Sequence, residues 1–159
     1  MVRAVQNIIT LSGGSFGVGV FYRLEVIAQR FSPTADAYVR AGTWANTNFG
    51  AVPTLLVKKG ASADNTSRSY LTFDIGNVDT LTHVTLRVFG RVASVATPAV
   101  DVTVYAIGET TWRERLVTWN TRRDLGAVLG TLRVVGVAPQ WLEIDVTAFV
   151  RAQRAAGFE

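Results

Sequence analysis

Cysteine is absent from this chain, and histidine occurs once, as His83. The first absence excludes disulfides, thiolate nucleophiles and cysteine-ligated zinc, and the second excludes a histidine metal cluster built within one chain. No apolar run reaches the roughly 18 residues of a membrane-spanning helix. The apolar N-terminal segment is broken by Ser12-Gly13-Gly14-Ser15 and followed by Arg23 and Glu25, which makes it a poor secretion signal. Also missing is any nucleophile, base and orienting group in a recognisable arrangement, so catalysis is not expected.

What is present suffices for one well-filled core: 159 residues, of which 48% are hydrophobic. Lys and Arg number 16 against 12 Asp and Glu, a net charge of +4 that favours anionic partners such as acidic polysaccharide, nucleic acid or anionic lipid. The arginines are scattered, with Arg122-Arg123 the only adjacent pair. No basic helix or nucleic-acid motif accompanies them, so nucleic acid is not an expected partner.

Residues 8–11 and 16–28 read as a β-hairpin around Ser12 to Ser15. Phe16, Val18, Val20, Tyr22, Leu24 and Val26 alternate onto one face of its second strand. At about 3.3 Å per residue that strand would span about 43 Å, longer than an ordinary sandwich strand, and reads as an assembly arm or a strand bent by its glycines. Phe31-Ser32-Pro33-Thr34 reads as a linker, dividing the chain into an N-terminal arm over 1–34 and a β-sandwich over 35–159. Within the latter, strands are expected at 37–40, 54–59, 69–75, 83–92, 100–107, 130–135 and 141–144, with Gly, Asn, Asp and Pro between them. Val84, Leu86 and Val88 are expected to face the core, and Thr85, Arg87 and Phe89 to face away. A short helix follows to about Ala156, with Asp145 or Thr147 as N-cap and Gly157 as its stop.

Several segments carry a resemblance. Ala35-Asp36-Ala37-Tyr38-Val39-Arg40, Asn46-Thr47-Asn48-Phe49-Gly50, Leu56-Val57-Lys58 and Arg68-Ser69-Tyr70-Leu71-Thr72-Phe73-Asp74 are followed by Trp112-Arg113-Glu114, Val117-Thr118-Trp119-Asn120 and the stretch from Trp141 to Val150. In this order they resemble the DNRLRE-domain family, which is also classed as carbohydrate-binding module family 96. The resemblance implies an all-β, antiparallel jelly-roll β-sandwich attached to secreted polysaccharide-degrading enzymes or surface proteins, with acidic polysaccharides such as alginate among the ligands. It also implies closing strands beyond the helix, where this sequence ends at Glu159. The N-terminal strands are expected to fill that place, either within the chain or by strand exchange into a neighbouring subunit.

Candidate ligand-binding residues follow from charge and aromaticity. Arg40, Lys58, Lys59, Arg68 and Arg87 form either a cationic face for carboxylate-bearing sugars or the polar positions any strand needs. Arg40, Lys58 and Arg68 lie in segments that resemble the family's motifs, as does Tyr70. Trp44, in a turn-rich loop, is a candidate stacking surface, and Trp112 and Trp119 offer sugar faces or plug the core edge beside Glu114. Asp36, Asn46, Asn48 and Asp74 are oxygen donors that leave room for a structural calcium ion, although no calcium-loop spacing is present and no other cofactor is expected. Glu109, Glu114, Asp124, Glu143 and Asp145 supply carboxylates, but nothing sets the separation that glycoside cleavage requires.

Two functions are consistent with these features. One is a non-catalytic structural subunit of a virion decoration, tail component or surface filament, with other copies or subunits as partners. The other is a free secreted module binding acidic polysaccharide. Either places the chain outside the cell or on a virion surface.

Overall fold

The computed structural model describes residues 2–3, 29–76, 78, 81–107 and 112–157. The strands are β1 (Val2–Arg3), β2 (Arg30–Phe31), β3 (Ala35–Arg40), β4 (Ser67–Thr72), β5 (Thr85–Gly90), β6 (Ala99–Tyr105), β7 (Val128–Val135) and β8 (Gln140–Asp145). Helix α1 (Thr147–Ala155) follows them, the one α-helix among the described residues. The chain is therefore all-β with one short helix. Among the described residues every strand pairing is antiparallel: a four-stranded sheet ordered β2-β1-β5-β8, and the ribbons β3-β4 and β6-β7.

Two apolar clusters hold these elements. Alternation along β3 turns Ala37 and Val39 inward, both at 0% exposure, onto Tyr70, Trp112 and Val117. Burying a side chain the size of Val39 contributes roughly 1.5–3 kcal/mol. The second cluster joins Val84 of the β5 approach to Val146 and Val150 around α1, with Phe31, Leu86 and Ile144 packed against it. Thr147 ties helix to sheet, since its hydroxyl accepts the Val84 N–H at 2.8 Å, while the Val146 N–H donates to the Val84 carbonyl at 2.9 Å. The N-cap is Val146, without a side-chain cap bond, rather than the expected Asp145 or Thr147; the Asp145 carboxylate, one residue before it, accepts the N–H of the first helical residue, Thr147, at 2.7 Å. Gly157, at φ +83°, ends it in the left-handed region.

Most expected strands are present with edges moved by one to three residues, but two local readings are corrected. Segment 54–59 is not a strand, because it meets β4 only through the bridge Lys58↔Ser67 and through the Ser69 hydroxyl, which donates to the Leu56 carbonyl at 3.0 Å. There a side chain occupies the acceptor that a ladder amide would use. Thr85, expected to face solvent, is buried at 3%. At the N-terminus, Val2–Arg3 hydrogen-bond between β2 and β5 of the same chain. The expected arm residues Phe16, Val18, Val20, Tyr22, Leu24 and Val26 lie outside the described residues.

Candidate functional site: two indoles and three arginines at the end of the β3-β4 ribbon

β3 leads at Arg40 into the 3₁₀ turn Gly42–Trp44, and β4 begins at Ser67 opposite Arg40. Gly42 has φ +69°, a conformation that costs an L side chain strain, and a Cβ there would lie 2.7 Å from the Asp64 carbonyl oxygen of the neighbouring turn Ala63–Asn65. The chain thus reverses tightly and lifts Trp44 to 44% exposure.

On the outward face of β3, the Arg40 guanidinium lies 5.5 Å from the Trp44 ring centre. Phe49 continues the row, 6.1 Å from Trp44 and stacked on Tyr38 at 4.4 Å with 14° between planes. On the inward side of the ribbon, Arg68 stands opposite Val39 and reaches Trp119, 5.3 Å from its ring centre. Arg122 approaches the same indole at 4.3 Å and donates from Nη1 to the Trp119 carbonyl at 2.6 Å. Two guanidinium groups therefore share one indole.

The loops carrying the two tryptophans are locked together. Asn48 Nδ2 donates to the carbonyls of Glu114 and Val117, both at 2.7 Å, and its Oδ1 accepts the Gly50 N–H. The Asn120 N–H donates to the Ala45 carbonyl at 3.1 Å, and Asn120 Nδ2 donates to Asn46 Oδ1 at 2.7 Å. Glu114 Oε2 accepts the Asp36 N–H. Gly50 is needed because a Cβ there would lie 2.0 Å from the Glu114 carbonyl oxygen.

The sequence-expected residues do not form one face. Arg40 and Trp44 come together, with Lys58 held beside Ser67 and donating from Nζ to Asn65 Oδ1 at 2.8 Å, and Lys59 exposed next to it. Arg68 lies on the opposite side of the ribbon from Arg40, because adjacent β4 positions alternate. Tyr70 is a core residue: it is 4% exposed, packs on Trp112 and donates its hydroxyl hydrogen to the Arg123 carbonyl at 3.1 Å. Burial pushes its phenol pKa upward, and the nearby Arg68 and Arg122 oppose that shift. Arg87 belongs to the four-stranded sheet, where its Nε meets Glu143 Oε1 at 2.5 Å. Of the two indoles expected to offer a sugar face or plug the core edge, Trp112 is buried in the core and Trp119 packs against it while facing two guanidinium groups. The roles of Arg122, Phe49 and Tyr38 around the indoles were not singled out by sequence. The adjacent Arg122-Arg123 pair was the signal closest to hand.

Asn46, Asn48 and Asp74 accept protein N–H groups through their side-chain oxygens, and among the described residues no three His, Cys, Asp or Glu converge. Three of the candidate carboxylates are engaged: Glu114 accepts the Asp36 N–H, Glu143 pairs with Arg87, and Asp145 accepts the Thr147 N–H while lying 3.6 Å from His83. Glu109 lies outside the described residues. No described helix is long and apolar enough to cross a membrane.

Comparison with curated proteins finds no match. A family comparison does, over residues 27–159, a span that takes in β2 to β8, α1 and both indole loops. On that match the chain belongs to carbohydrate-binding module family 96.

Proposed function

We propose that this chain is a non-catalytic module that binds acidic polysaccharide, alginate included, at the end of the β3-β4 ribbon and outside the cell. The observation that carries this reading is the pairing of both indoles with cations that lack a carboxylate. Among the described residues, Arg40, Arg68 and Arg122 face no Asp or Glu at ion-pair distance, whereas Arg87 and Arg133 do. A sugar carboxylate would supply the missing counter-charge through two-pronged hydrogen bonds, and the indole faces would take the sugar's C–H surface. Lys58 and Lys59 add mobile positive charge along the same edge.

Migration through alginate-containing gels tests this. The wild-type chain should be retarded, and added salt should relieve the retardation because the pairs are exposed. Arg40→Ala combined with Lys58→Ala, or Arg68→Ala alone, should weaken retention roughly tenfold, as expected for a lost charged hydrogen bond. Retention unchanged by both would remove the reading.

We also propose that the N-terminal segment joins copies of the chain in an assembly such as a virion component or surface filament. The reading starts from the slot between β2 and β5, which Val2–Arg3 of the same chain fills and which a neighbour's segment of the same sequence would fit equally. Deleting residues 1–30 should then convert an oligomer to a monomer on a sizing column. An intact chain that already runs as a monomer would refute exchange.

A further inference from the structure

The outer face of the β5-β8 pair carries a second aromatic surface with different electrostatics. Its register sets Arg87 opposite Glu143 and Phe89 opposite Trp141, all on one side of the sheet, while Leu86 and Ile144 pack into the core behind. Phe89 is 60% exposed and Trp141 51%, so two large rings stand open to water on rigid strands. Their centres are 5.1 Å apart with 49° between planes. The Arg87 guanidinium lies 4.4 Å from the Trp141 ring centre, and its Nε is paired with Glu143.

We infer that Trp141 and Phe89 form a second carbohydrate platform, which takes uncharged sugar chains. Unlike the β3-β4 end, this surface has its cation neutralised at 2.5 Å by a carboxylate, so it offers a sugar carboxylate little attraction. It keeps what an uncharged pyranose needs: π-faces for the C–H side of the ring, and a fixed donor and acceptor pair, Arg87 and Glu143, for neighbouring hydroxyls. The strands hold these groups in place before binding, so little ordering cost is added. A second copy of the chain fits less well. Two aromatic side chains offer roughly 150–250 Å² each, short of the roughly 800 Å² per partner that a stable dimer buries. The inference shares with the proposed function only the premise of glycan binding, and it uses other residues and another ligand class.

The test is electrophoresis of the full chain through gels containing hydroxyethyl cellulose, a galactomannan or dextran, with alginate gels alongside. At least one neutral polymer should retard the wild type, and salt should leave that retardation unchanged. Trp141→Ala and Phe89→Ala should each weaken it roughly tenfold, the scale of losing an aromatic anchor, with Trp141→Phe falling between. Migration in alginate should be unaffected by all three. If no neutral polymer retards the wild type, or if both alanine variants migrate as wild type, the platform does not bind sugar. A concentration-dependent dimer that Trp141→Ala dissolves would assign the face to a second copy instead. Loss of alginate binding with neutral binding intact would overturn the proposed function and leave this inference standing.

Discussion

At the residue scale, the site depends on a few side chains that satisfy backbone groups of distant loops. Asn48 serves two carbonyls at once, so Asn48→Ala leaves both without their donor. A loss of about 1–3 kcal/mol is expected, measured by denaturant unfolding. Asp145 gives a pH signature. Hydrogen bonds from Thr147 hold its carboxyl below the ordinary value of 3.8, with His83 and Arg151 acting in the same direction. A depressed carboxylate pKa stabilises the fold above the ordinary value, and that stability is lost as pH falls through the depressed one. Melting temperatures of wild type and Asp145→Asn should therefore differ at neutral pH and converge on acidification below that range. A gap that stays constant with pH would contradict this role for the carboxylate.

At the scale of elements, two close approaches fix the architecture. The 42–50 loop can meet the 112–120 loop only because Gly50 has no side chain, and Gly50→Ala forces a Cβ against the Glu114 carbonyl. We expect a loss at or above about 3 kcal/mol, the upper range for overpacking, read by calorimetry. Helix α1 is pinned to the β5 approach by Thr147, and Arg151 extends the contact by donating to the carbonyls of Leu81 and Thr82 at 2.8 and 2.9 Å. Thr147→Val keeps the shape and strands the buried Val84 N–H, which should cost about 1–3 kcal/mol in the same unfolding measurement. Elements of this kind were readable in the sequence where period-two alternation holds in the fold, as for Ala37 and Val39 of β3, whereas β5 was placed as a strand but its Thr85 was read onto the wrong face. The Gly157 stop was readable from its residue type. Segment 54–59 misled because Leu55, Leu56 and Val57 look like a buried strand, yet Leu55 and Val57 are exposed at 39% and 52%. Their apolarity reflects no ladder.

For the whole molecule, composition and motif order were enough to anticipate an all-β chain of carbohydrate-binding module family 96. The partition of its cations was not legible. Strand parity could have warned that Arg40 and Arg68 face opposite sides, but the meeting of Arg68, Trp119 and Arg122 is made by loop packing between segments far apart in sequence. The same holds for Arg87, whose neutralisation by Glu143 follows from the β5-β8 register. Charge counted along the chain gives one basic surface. Folded, the arginines divide: Arg40, on one side of the β3-β4 ribbon, and Arg68 with Arg122, on the other, meet indoles with no carboxylate at ion-pair distance among the described residues, whereas Arg87 beside Trp141 is paired with Glu143.

The four tryptophans allow the central claim to be tested inside one spectrum, because each contributes a single indole N–H resonance assignable by substitution. During titration with alginate oligosaccharides, the signals of Trp44 and Trp119 should shift together, while those of buried Trp112 and of Trp141 on the other sheet stay in place. Shifts confined to Trp141, or no indole shift at saturating oligosaccharide, would contradict acidic-sugar binding at the β3-β4 end.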